Sequence, residues 1–514
     1  MHDALDQADR AVQAGARLIE WRIDALVGGD DAFKAIQTLL RDSPASCIVT
    51  CRPLWEGGLC EVPEIERLEL LRNIIESDSP PKYVDLEMLA LERSPEAAIA
   101  LIDAIKETNT RPGVEVGLIL SSHDFKGRPV DLIQKIETMT NEMGVNVIKV
   151  VWLARSLRDN LEAFAILRER SRPTLALCMG EFGLMSRVLA PKFGGFITFA
   201  SEAPGHETAP GQASIEELRN LYRFDSIGRD TKVYGVIGWP VGHSLSPKIH
   251  NAGFDAIEHD GVYLPLPVPK EYEHFKATVG SLIDDERLDF RGASVTIPHK
   301  ENLIRFVMER GGSIEPMAGF IGAANTLVVN EDGSIEAINT DCPAAIKALC
   351  ARLDIEPDAL QGKRVAILGA GGVARGIVAG LAQLGAKVTI FNRSQNRAEA
   401  MVEAFRELAP IAIGEALQLI DERFDIYING TPLGMNGGPD PEASPLPDGA
   451  PLEGALVMET VYNPVETPLI RQAEANGAIT LDGLAMFVRQ AGTQFKHWTG
   501  RALPVDVMDV DRGN

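Results

Sequence analysis

Apolar residues in the first two hundred positions fall into short runs that alternate with stretches of helical spacing. Helical patterns such as Ile65–Glu76 and Pro95–Thr108 separate these runs. Regular alternation of strand and helix over this length predicts a parallel sheet, either open or closed into a barrel. The predicted strands cover residues 17–24, 46–52, 82–87, 115–123, 146–152, 174–180 and 195–200.

The period of two along each strand distinguishes the open sheet from the barrel. In the first strand, RLIEWRID, Ile19 and Trp21 point to one face, and Glu20 and Arg22 point to the other. Polar residues recur toward the ends of later strands, which is where a barrel places its chemistry. We therefore predict a barrel rather than a half-solvated sheet. The later polar residues are Arg52, Glu87, His123 and Lys149.

Lys149 lies inside NVIKVVWL, residues 146–153, a run apolar enough for a strand buried on both faces. A buried amine must lose its charge or find a partner, and both are costly. Burial among apolar side chains lowers the pKa of a lysine and keeps it nucleophilic near neutral pH. The sequence therefore predicts a functional lysine in an apolar environment.

The second half contains a strand, a glycine turn and a helix in KRVAILGAGGVARGIVAGL, residues 363–381. The amides and dipole at such a helix start suit a pyrophosphate. The next strand ends in FNRSQNR, where NAD-binding folds carry an acid for the ribose. This chain has Asn392, Arg393, Ser394 and Arg397 there. Guanidinium groups bind a 2′-phosphate that an acid would repel, so we predict NADP(H).

Composition and charge restrict the possible partners. The 514 residues are too many for one core, and the net charge of -23 without a basic run argues against nucleic acid and anionic membranes. The acidic, amphipathic start, MHDALDQADRAVQ, predicts neither a secretory signal nor a transit peptide. The cysteines show no zinc spacing, so we expect reduced thiols, no metal and a cytoplasmic location. They are Cys47, Cys51, Cys60, Cys178, Cys342 and Cys350.

The ordered motifs of the first half resemble type I 3-dehydroquinate dehydratase over residues 1–221. They are EWRID, TCRPLWEGG, VDLE, SSHDF, VIKVVW, CMGEFGLMSRVLAPKFGG and APGQ. The resemblance implies that Lys149 forms a Schiff base with the C3 ketone of 3-dehydroquinate. It also implies that His123 is the general base and acid and that Glu87 orients the imidazole. The implied substrate-binding residues are Glu20, Arg22, Arg52, Arg187, Thr208 and Gln212.

Two features of the first half depart from this family. The family begins with a strand before its first helix, whereas this sequence opens with a helical pattern at residues 4–16. A barrel without that strand has two unpaired edges, so we expect either a start that is truncated or misassigned, or an impaired dehydratase half. Thr208 stands where the family carries serine, which keeps the hydroxyl and adds a methyl group.

The second half resembles shikimate dehydrogenase over residues 232–510. Its motifs are GWPVGHSLSPKIHNAGF, SVTIPHKE, GAANTL, AINTD, YINGTPLGM, VYNPVETPL and DGLAMFVRQA. The resemblance implies that Lys300, held by Asp341, protonates the alkoxide that hydride transfer produces. The implied substrate-binding residues are Ser244, Ser246, Thr296, Asn325, Tyr462 and Gln490. The implied cofactor-binding residues are Gly369, Ala370, Gly371, Gly372 and Val373 in the turn, with Thr431, Thr460 and Gly483 near the nicotinamide.

These resemblances imply a domain order. We expect a TIM-type (β/α)8 barrel over residues 1–221, with its first strand missing, and a linker over residues 222–231. A substrate-binding domain over residues 232–336, completed by residues 485–514, and a Rossmann NADP domain over residues 337–484 follow. The oligomeric state is left open.

The expected function is a bifunctional shikimate-pathway enzyme of aromatic amino acid biosynthesis. It would dehydrate 3-dehydroquinate and reduce the resulting 3-dehydroshikimate to shikimate with NADPH. One alternative is an NAD-dependent quinate/shikimate dehydrogenase fused to the same dehydratase, and the residues after the second Rossmann strand argue against it. Another is a metabolite-sensing protein without chemistry. The retention of Lys149, His123, Lys300 and Asp341 argues against that alternative.

Overall fold

The computed structural model describes residues 2–29, 31–203, 205 and 211–508. The chain divides into two compact units, Met1–Thr231 with Asp260–Pro267 and Lys232–His259 with Val268–Asn514. Within the described part of the chain, no helix combines the length and the hydropathy needed to cross a bilayer.

The first unit is built on a parallel sheet whose strands follow the chain order. Each strand pairs with the next, so that Lys149 lies opposite Ser121 on one side and Leu175 on the other. Sequential parallel strands with helices between them are the arrangement of a (β/α)8 barrel. Strands β1–β6 are Ile19–Arg22, Cys47–Thr50, Tyr83–Glu87, Gly117–Asp124, Val147–Leu153 and Thr174–Met179.

Six of the seven predicted strands of this unit are confirmed, and the strand predicted at residues 195–200 is wrong. That segment makes isolated backbone contacts, because the Phe196 N–H donates to the Thr174 carbonyl at 2.9 Å. The Ser201 N–H donates to the Ala213 carbonyl at 3.0 Å. Among the described strands, β1 pairs with β2 alone, so no neighbour completes a ladder with this segment.

The helices of the first unit bury one apolar side against the sheet. In Pro95–Thr108, buried Ala98, Leu101 and Ile105 recur at helical spacing, and proline stands at the start, where its missing N–H costs nothing. A short π-helical turn, Glu217–Leu221, lies near the end of this unit. Helices α1–α8 are His2–Gln13, Ala32–Arg41, Glu64–Glu76, Met88–Arg93, Pro95–Thr108, Leu132–Asn141, Arg158–Glu169 and Leu184–Val188.

The second sheet of the chain is mixed and has the order β10-β12-β11-β9-β7-β8. Strands β7 and β9 are parallel, whereas β11 runs antiparallel to both β9 and β12. Strands β7–β12 are Lys232–Gly238, Gly261–Pro267, Phe290–Val295, Ser313–Ile314, Thr326–Val329 and Ile335–Ile338.

The third sheet is entirely parallel, with the order β15-β14-β13-β16-β17-β18. In chain order this is 3-2-1-4-5-6, the doubly wound dinucleotide-binding arrangement. The order in which strands are added reverses between β13 and β16, and in such sheets ligands bind at this point, outside the carboxyl ends of the strands. Strands β13–β18 are Arg364–Leu368, Lys387–Phe391, Ile411–Ile413, Ile426–Asn429, Leu456–Glu459 and Ile479–Leu481.

The long helix Gly483–Thr499 packs on the second sheet. The side-chain amide of Gln494 donates to the Asn325 carbonyl, and the Trp498 indole N–H donates to the Leu327 carbonyl, both at 3.0 Å. Helices α9–α19 are Ser246–Ala256, Tyr272–Asp284, Lys300–Glu309, Pro316–Ile321, Asp341–Leu353, Gly372–Gln383, Gln395–Phe405, Gln418–Asp421, Pro468–Ala475, Gly483–Thr499 and Val505–Met508.

Candidate functional site

Lys149 lies in β5 with only 5% of its surface exposed. Its Nζ donates to Oδ2 of Asp85 at 2.9 Å and lies 3.6 Å from Oε1 of Glu20. The Phe199 ring centre is 4.5 Å away. The prediction of an apolar environment is therefore wrong, because β1 and β3 turn carboxylates toward the amine. The amine forms an ion pair, so a proton must leave Nζ before it can attack a ketone.

Asp85 connects Lys149 to a second cation. Nη2 of Arg52 lies 2.9 Å from Oδ1 of Asp85, and the Ser121 hydroxyl also contacts this oxygen at 2.5 Å. Burial favours a raised pKa for Asp85, but the charges of Arg52 and Lys149 outweigh burial and hold that pKa well below its usual range. Asp85 was not among the residues predicted from the sequence, although the alternation in YVDLE places it on the same face as Glu87.

His123, near the end of β4, is held by Glu56. Its Nδ1 lies 2.9 Å from Oε1 of Glu56, and its backbone N–H donates to the same oxygen at 3.0 Å. Because this oxygen accepts the backbone N–H, we assign a proton to Nδ1 as well, which leaves the lone pair on Nε2. Burial lowers the pKa of His123 well below 6.5, and the positive charges of Arg52 and Lys149 lower it further. A neutral imidazole with a free Nε2 can act as a base.

The prediction that Glu87 orients His123 is wrong. Glu87 is fully buried, and its Oε1 accepts from Nη1 of Arg52 at 2.7 Å. Its Oε2 lies 2.8 Å from Nη2 of Arg67. Two guanidinium groups compensate a buried carboxylate in a way that a neutral imidazole cannot. Glu56 takes the predicted role, and the signal was present in RPLWEGG, four residues after Arg52.

The environment of Glu56 favours its protonated form. The side chain lies in the short 3₁₀ turn Leu54–Glu56 and is buried. Burial raises the pKa of Glu56 to about 8; the charge of Arg52 opposes this rise, and Glu87 and Asp85 add to it. At neutral pH the carboxyl group therefore keeps its proton, which belongs on Oε2 because Oε1 accepts two N–H groups.

Other predicted substrate-binding residues line a cavity of about 590 Å³ between β1 and residues 195–201. They are Glu20, Arg22 and Gln212. Nε and Nη2 of Arg22 donate to Oδ1 and Oδ2 of Asp24, each at 2.9 Å. This pair fixes the guanidinium at the cavity wall.

Arg187 and Thr208 complete the set predicted for the first half. Arg187 lies in α8 and is 2% exposed, and its Nε has no hydrogen-bond partner among the described residues. Burial lowers the pKa of Arg187 to about 10. A buried guanidinium with an unused donor suits a carboxylate ligand. Thr208 lies outside the described residues.

Lys300 and Asp341 form an ion pair in the second unit. Each is the first residue of its helix, α11 or α13. Nζ of Lys300 donates to Oδ2 of Asp341 at 2.6 Å, and the two residues are 7% and 5% exposed. A Cβ added to Gly372 would lie 3.2 Å from Cδ of Lys300. The ion pair therefore lies beside the glycine turn after β13.

The predicted substrate-binding residues of this unit form two groups. The side-chain amide of Asn325 donates to the Gln490 side chain at 3.3 Å. The Ser246 N–H donates to the Ser244 hydroxyl at 3.2 Å, and Ser244 also hydrogen-bonds the half-buried Tyr462. Burial raises the pKa of the Tyr462 phenol, which keeps it neutral. Thr296 is half-buried just after β9.

The turn after β13 fits a dinucleotide phosphate. Gly369 has a φ of +107°, and a Cβ there would lie 2.8 Å from Cγ2 of Thr431, so the position requires glycine. The 12-residue helix α14 begins at Gly372, which directs its free N–H groups toward this turn. The other predicted turn residues are Ala370, Gly371 and Val373, at the start of the same helix.

The residues that follow the neighbouring strands complete the predicted cofactor site. Arg393, Ser394 and Arg397 are exposed just after β14, and Asn392 donates to the Ser394 carbonyl at 2.7 Å. Two accessible guanidinium groups next to the turn fit a second phosphate on the ribose. Thr431 follows β16, Thr460 follows β17 and Gly483 begins α18.

Comparison with known families matches both halves. The family model described as "Type I 3-dehydroquinase" matches residues 1–229. Three further models match the second half. They are "Shikimate dehydrogenase substrate binding domain" at residues 236–327, "Shikimate / quinate 5-dehydrogenase" at residues 352–432 and "Shikimate 5'-dehydrogenase C-terminal domain" at residues 483–509.

Individual relatives match either the whole chain or its second half. The chain is 36% identical over 528 residues to the chloroplastic bifunctional 3-dehydroquinate dehydratase/shikimate dehydrogenase of Arabidopsis thaliana, covering 99% of this chain and 82% of that protein. It is 41% identical over 281 residues to the NADP(+) shikimate dehydrogenase of Methanocella arvoryzae, covering 54% of this chain and 96% of that protein. A solved shikimate 5-dehydrogenase from Thermus thermophilus, in complex with NADP(H) and shikimate, is 30% identical. That match covers 54% of this chain and 97% of the other, with a TM-score of 0.46.

Proposed function

Because this chain belongs to the bifunctional 3-dehydroquinate dehydratase/shikimate dehydrogenase family, we propose that its two lysine-centred sites carry the two consecutive reactions of that family. The enzyme dehydrates 3-dehydroquinate to 3-dehydroshikimate and reduces this product to shikimate with NADPH, within the shikimate pathway. Its substrates are therefore small molecules. The product of the first reaction is the substrate of the second.

Lys149 is proposed as the nucleophile of the dehydration. Once its proton has left, Nζ adds to the C3 ketone of 3-dehydroquinate and water departs, which gives an imine. The protonated imine draws electrons from the adjacent carbon and acidifies the C2 hydrogen. Asp85, an anion 2.9 Å from Nζ, stabilises the positive charge of the iminium.

His123 is proposed as the acid and base of the same reaction. Nε2 takes the C2 proton and then gives it to the departing C1 hydroxyl, which leaves as water. Hydrolysis of the product imine frees 3-dehydroshikimate and restores the lysine, so that one water is lost overall. The observation that carries this assignment is the contact of Glu56 with both the backbone N–H and Nδ1 of His123, which leaves Nε2 as the base.

The remaining first-half residues are proposed to bind and orient the substrate. Arg187 offers the carboxylate of 3-dehydroquinate a buried Nε donor that has no partner in the described residues. Glu20, Arg22 and Gln212 face the cavity and can bind hydroxyl groups. Arg52 already contacts Asp85, Glu87 and Glu56, so we propose that it positions these side chains as well as the substrate.

Lys300 is proposed as the proton donor of the reduction. NADPH supplies the hydride when it is bound. Lys300 donates a proton to the carbonyl oxygen of 3-dehydroshikimate as that oxygen becomes an alkoxide, and Asp341 holds the ammonium group in place. Ser244, Ser246 and Tyr462 form a polar group that suits the substrate carboxylate and hydroxyls. Asn325 and Gln490 form the second polar group.

The residues of the third sheet are proposed to select NADPH over NADH. The glycine turn at Gly369 holds the pyrophosphate, and Arg393 and Arg397 bind the 2′-phosphate. A comparison of initial reduction rates with NADPH and NADH tests this assignment. Faster reduction with NADH would instead support the NAD-dependent alternative.

The domain boundaries and the cellular location are proposed as follows. We propose a barrel at residues 1–221, a substrate-binding domain at residues 232–336 with 485–514, and an NADP-binding domain at residues 337–484. Residues 222–231 link the barrel to the substrate-binding domain. Limited proteolysis should cut first at the junctions between these domains. We also propose a cytoplasmic location, supported by six free, buried cysteines in the described part of the chain. Cell fractionation tests it.

Borohydride trapping tests the imine directly. Incubation with 3-dehydroquinate and borohydride should add the mass of the reduced adduct to the peptide that contains Lys149. Lys149→Ala should give no adduct, whereas Lys300→Ala, a matched change at the buried lysine of the proposed reductase site, should give a normal one. A folded wild-type protein without an adduct at Lys149 would contradict this mechanism.

A further inference from the structure

A fully buried carboxylate lies beneath the loops that follow the central strands of the third sheet. Glu459 is the last residue of β17 and is 0% exposed. Its Oε1 accepts from the backbone N–H groups of Thr460 at 2.7 Å and Val461 at 2.8 Å. Its Oε2 accepts from the Thr467 hydroxyl at 3.0 Å. These contacts use Glu459 as an acceptor, and none of the contacts in the described residues gives it a cationic partner.

Asn429 extends this network to the neighbouring strand. Its side-chain amide donates to both oxygens of Glu459, at 2.9 and 3.1 Å. Its Oδ1 then accepts from the Thr431 N–H at 2.8 Å and from the Thr431 hydroxyl at 2.7 Å. Thr431 is the residue that a Cβ at Gly369 would strike. The carboxylate is therefore connected, through one side chain, to the loop that packs on the glycine turn.

On its other side, the network reaches the segment that carries Tyr462, a predicted substrate-binding residue. Val461, which donates to Glu459, has its carbonyl only 2.1 Å from the place that a Cβ on Gly483 would occupy. The next residue, Tyr462, stacks on Phe487 with ring centres 4.2 Å apart and hydrogen-bonds Ser244. One carboxylate thus holds the segments after β16 and β17, where Thr431 and Thr460 lie.

We propose that Glu459 is a positioning residue for cofactor binding, which holds the Thr431 and Thr460 loops in the shape that accepts the nicotinamide half of NADPH. This inference rests on the proposed reductase function. A buried carboxylate without a cation is costly, and it is tolerated here because five hydrogen bonds to neutral donors compensate it. The donors of these bonds lie at the end of β16, in the segment after β17 and at the start of α17.

The isosteric variant Glu459→Gln tests the proposal. The glutamine keeps one acceptor oxygen. Its NH₂ group replaces the other oxygen of Glu459 and then faces a donor that this oxygen accepts from in wild type. If Asn429 flips to accept from this NH₂, its own amide faces the Thr431 N–H, so the disturbance passes to the Thr431 loop. Asp425→Asn is the matched control, since it makes the same change at an exposed carboxylate that accepts the Arg364 N–H at 2.8 Å, at the opposite end of the same strands.

We expect Glu459→Gln to raise the KM for NADPH about tenfold to a hundredfold, the range for losing hydrogen bonds to a charged group. The Kd of NADP⁺, measured by calorimetry, should rise by a similar factor. The kcat at saturating NADPH should stay within about threefold, and the dehydratase rate and Asp425→Asn should match wild type. A purely structural role would instead lower the melting temperature and the active fraction, and leave KM and Kd unchanged. That result would overturn the proposal.

Glu459→Asp keeps the charge and decides the question if the glutamine variant does not fold. It should bind NADP⁺ between about threefold and tenfold more weakly than wild type; an unchanged Kd would overturn the proposal. The calorimetric arm also separates this inference from the proposed function. Wild-type protein that binds NADP⁺ but reduces no 3-dehydroshikimate would refute the function and still allow the variants to be compared.

Discussion

Replacing Glu56 by glutamine tests the arrangement around His123. With a pKa of about 8, roughly nine tenths of Glu56 is protonated at pH 7, so the neutral glutamine reproduces its prevailing form. The amide oxygen still accepts from Nδ1 and from the backbone N–H of His123. We therefore expect Glu56→Gln to keep the dehydration kcat within about threefold at pH 7.

Removal of the acceptor should have a much larger effect. Glu56→Ala loses the contacts at 2.9 and 3.0 Å, which together are worth about 1–3 kcal/mol. If this free energy is needed in the transition state, kcat falls about 5- to 150-fold. The assay is the appearance of the conjugated enone of 3-dehydroshikimate in ultraviolet absorbance, with shikimate oxidation by the same sample as the control for folding. A glutamine variant as slow as the alanine variant at pH 7 would refute the reasoning.

The same variant gives a stability signature whose sign follows from the raised pKa. Between the unfolded value of 4.5 and the folded value of about 8, the folded state holds a proton that the unfolded state has lost. Wild type therefore loses stability as pH rises across this interval, by at most about 1.4 kcal/mol per pH unit from this group. Glu56→Gln lacks this loss, so its melting temperature relative to wild type should rise from pH 5 to pH 8 and then level off. A constant difference would contradict a buried, protonated Glu56.

Further variants separate the other roles. Lys149→Ala should abolish dehydration and leave shikimate oxidation intact, and a residual dehydration rate near wild type in a product assay would exclude the imine route. Lys300→Ala should lower the reduction rate by roughly 10²–10⁴, and a near-normal rate would remove it from proton transfer. Arg393→Ala with Arg397→Ala should raise the KM for NADPH about tenfold or more and leave the KM for NADH unchanged. Equal effects on both coenzymes in steady-state kinetics would argue against a 2′-phosphate contact.

Periodicity and motif order predicted much of the fold. Runs of alternating or continuous apolar residues mark strands β1–β6 because each strand must bury at least one face. The segment at residues 195–200 has the same pattern but forms no strand, since a ladder requires a paired neighbour that the pattern of one segment cannot reveal. The glycine turn at Gly369 was predictable because its glycines lie between an apolar strand and a helix. The structure explains these glycines, since a positive φ and a close neighbour at Gly369 both require glycine.

Side-chain partners across strands were harder to predict. Sequence order suggested Glu87 as the partner of His123, but the direction of its side chain brings it to Arg52 and Arg67. The actual partner, Glu56, lies on a short turn whose geometry has no periodic signal. The apolar residues next to Lys149 in the sequence belong to its own strand, whereas Asp85, its ion-pair partner, lies in another strand. Contacts between distant segments therefore required the structure.

We propose that one chain carries two separate lysine-dependent reactions, and a coupled assay tests this proposal most directly. Wild-type protein given 3-dehydroquinate and NADPH should consume NADPH and form shikimate. Lys149→Ala should do so only when supplied with 3-dehydroshikimate, Lys300→Ala should stop at 3-dehydroshikimate, and a mixture of the two variants should restore shikimate formation from 3-dehydroquinate. NADPH consumption from 3-dehydroquinate by Lys149→Ala alone, or loss of dehydration in Lys300→Ala, would contradict the account.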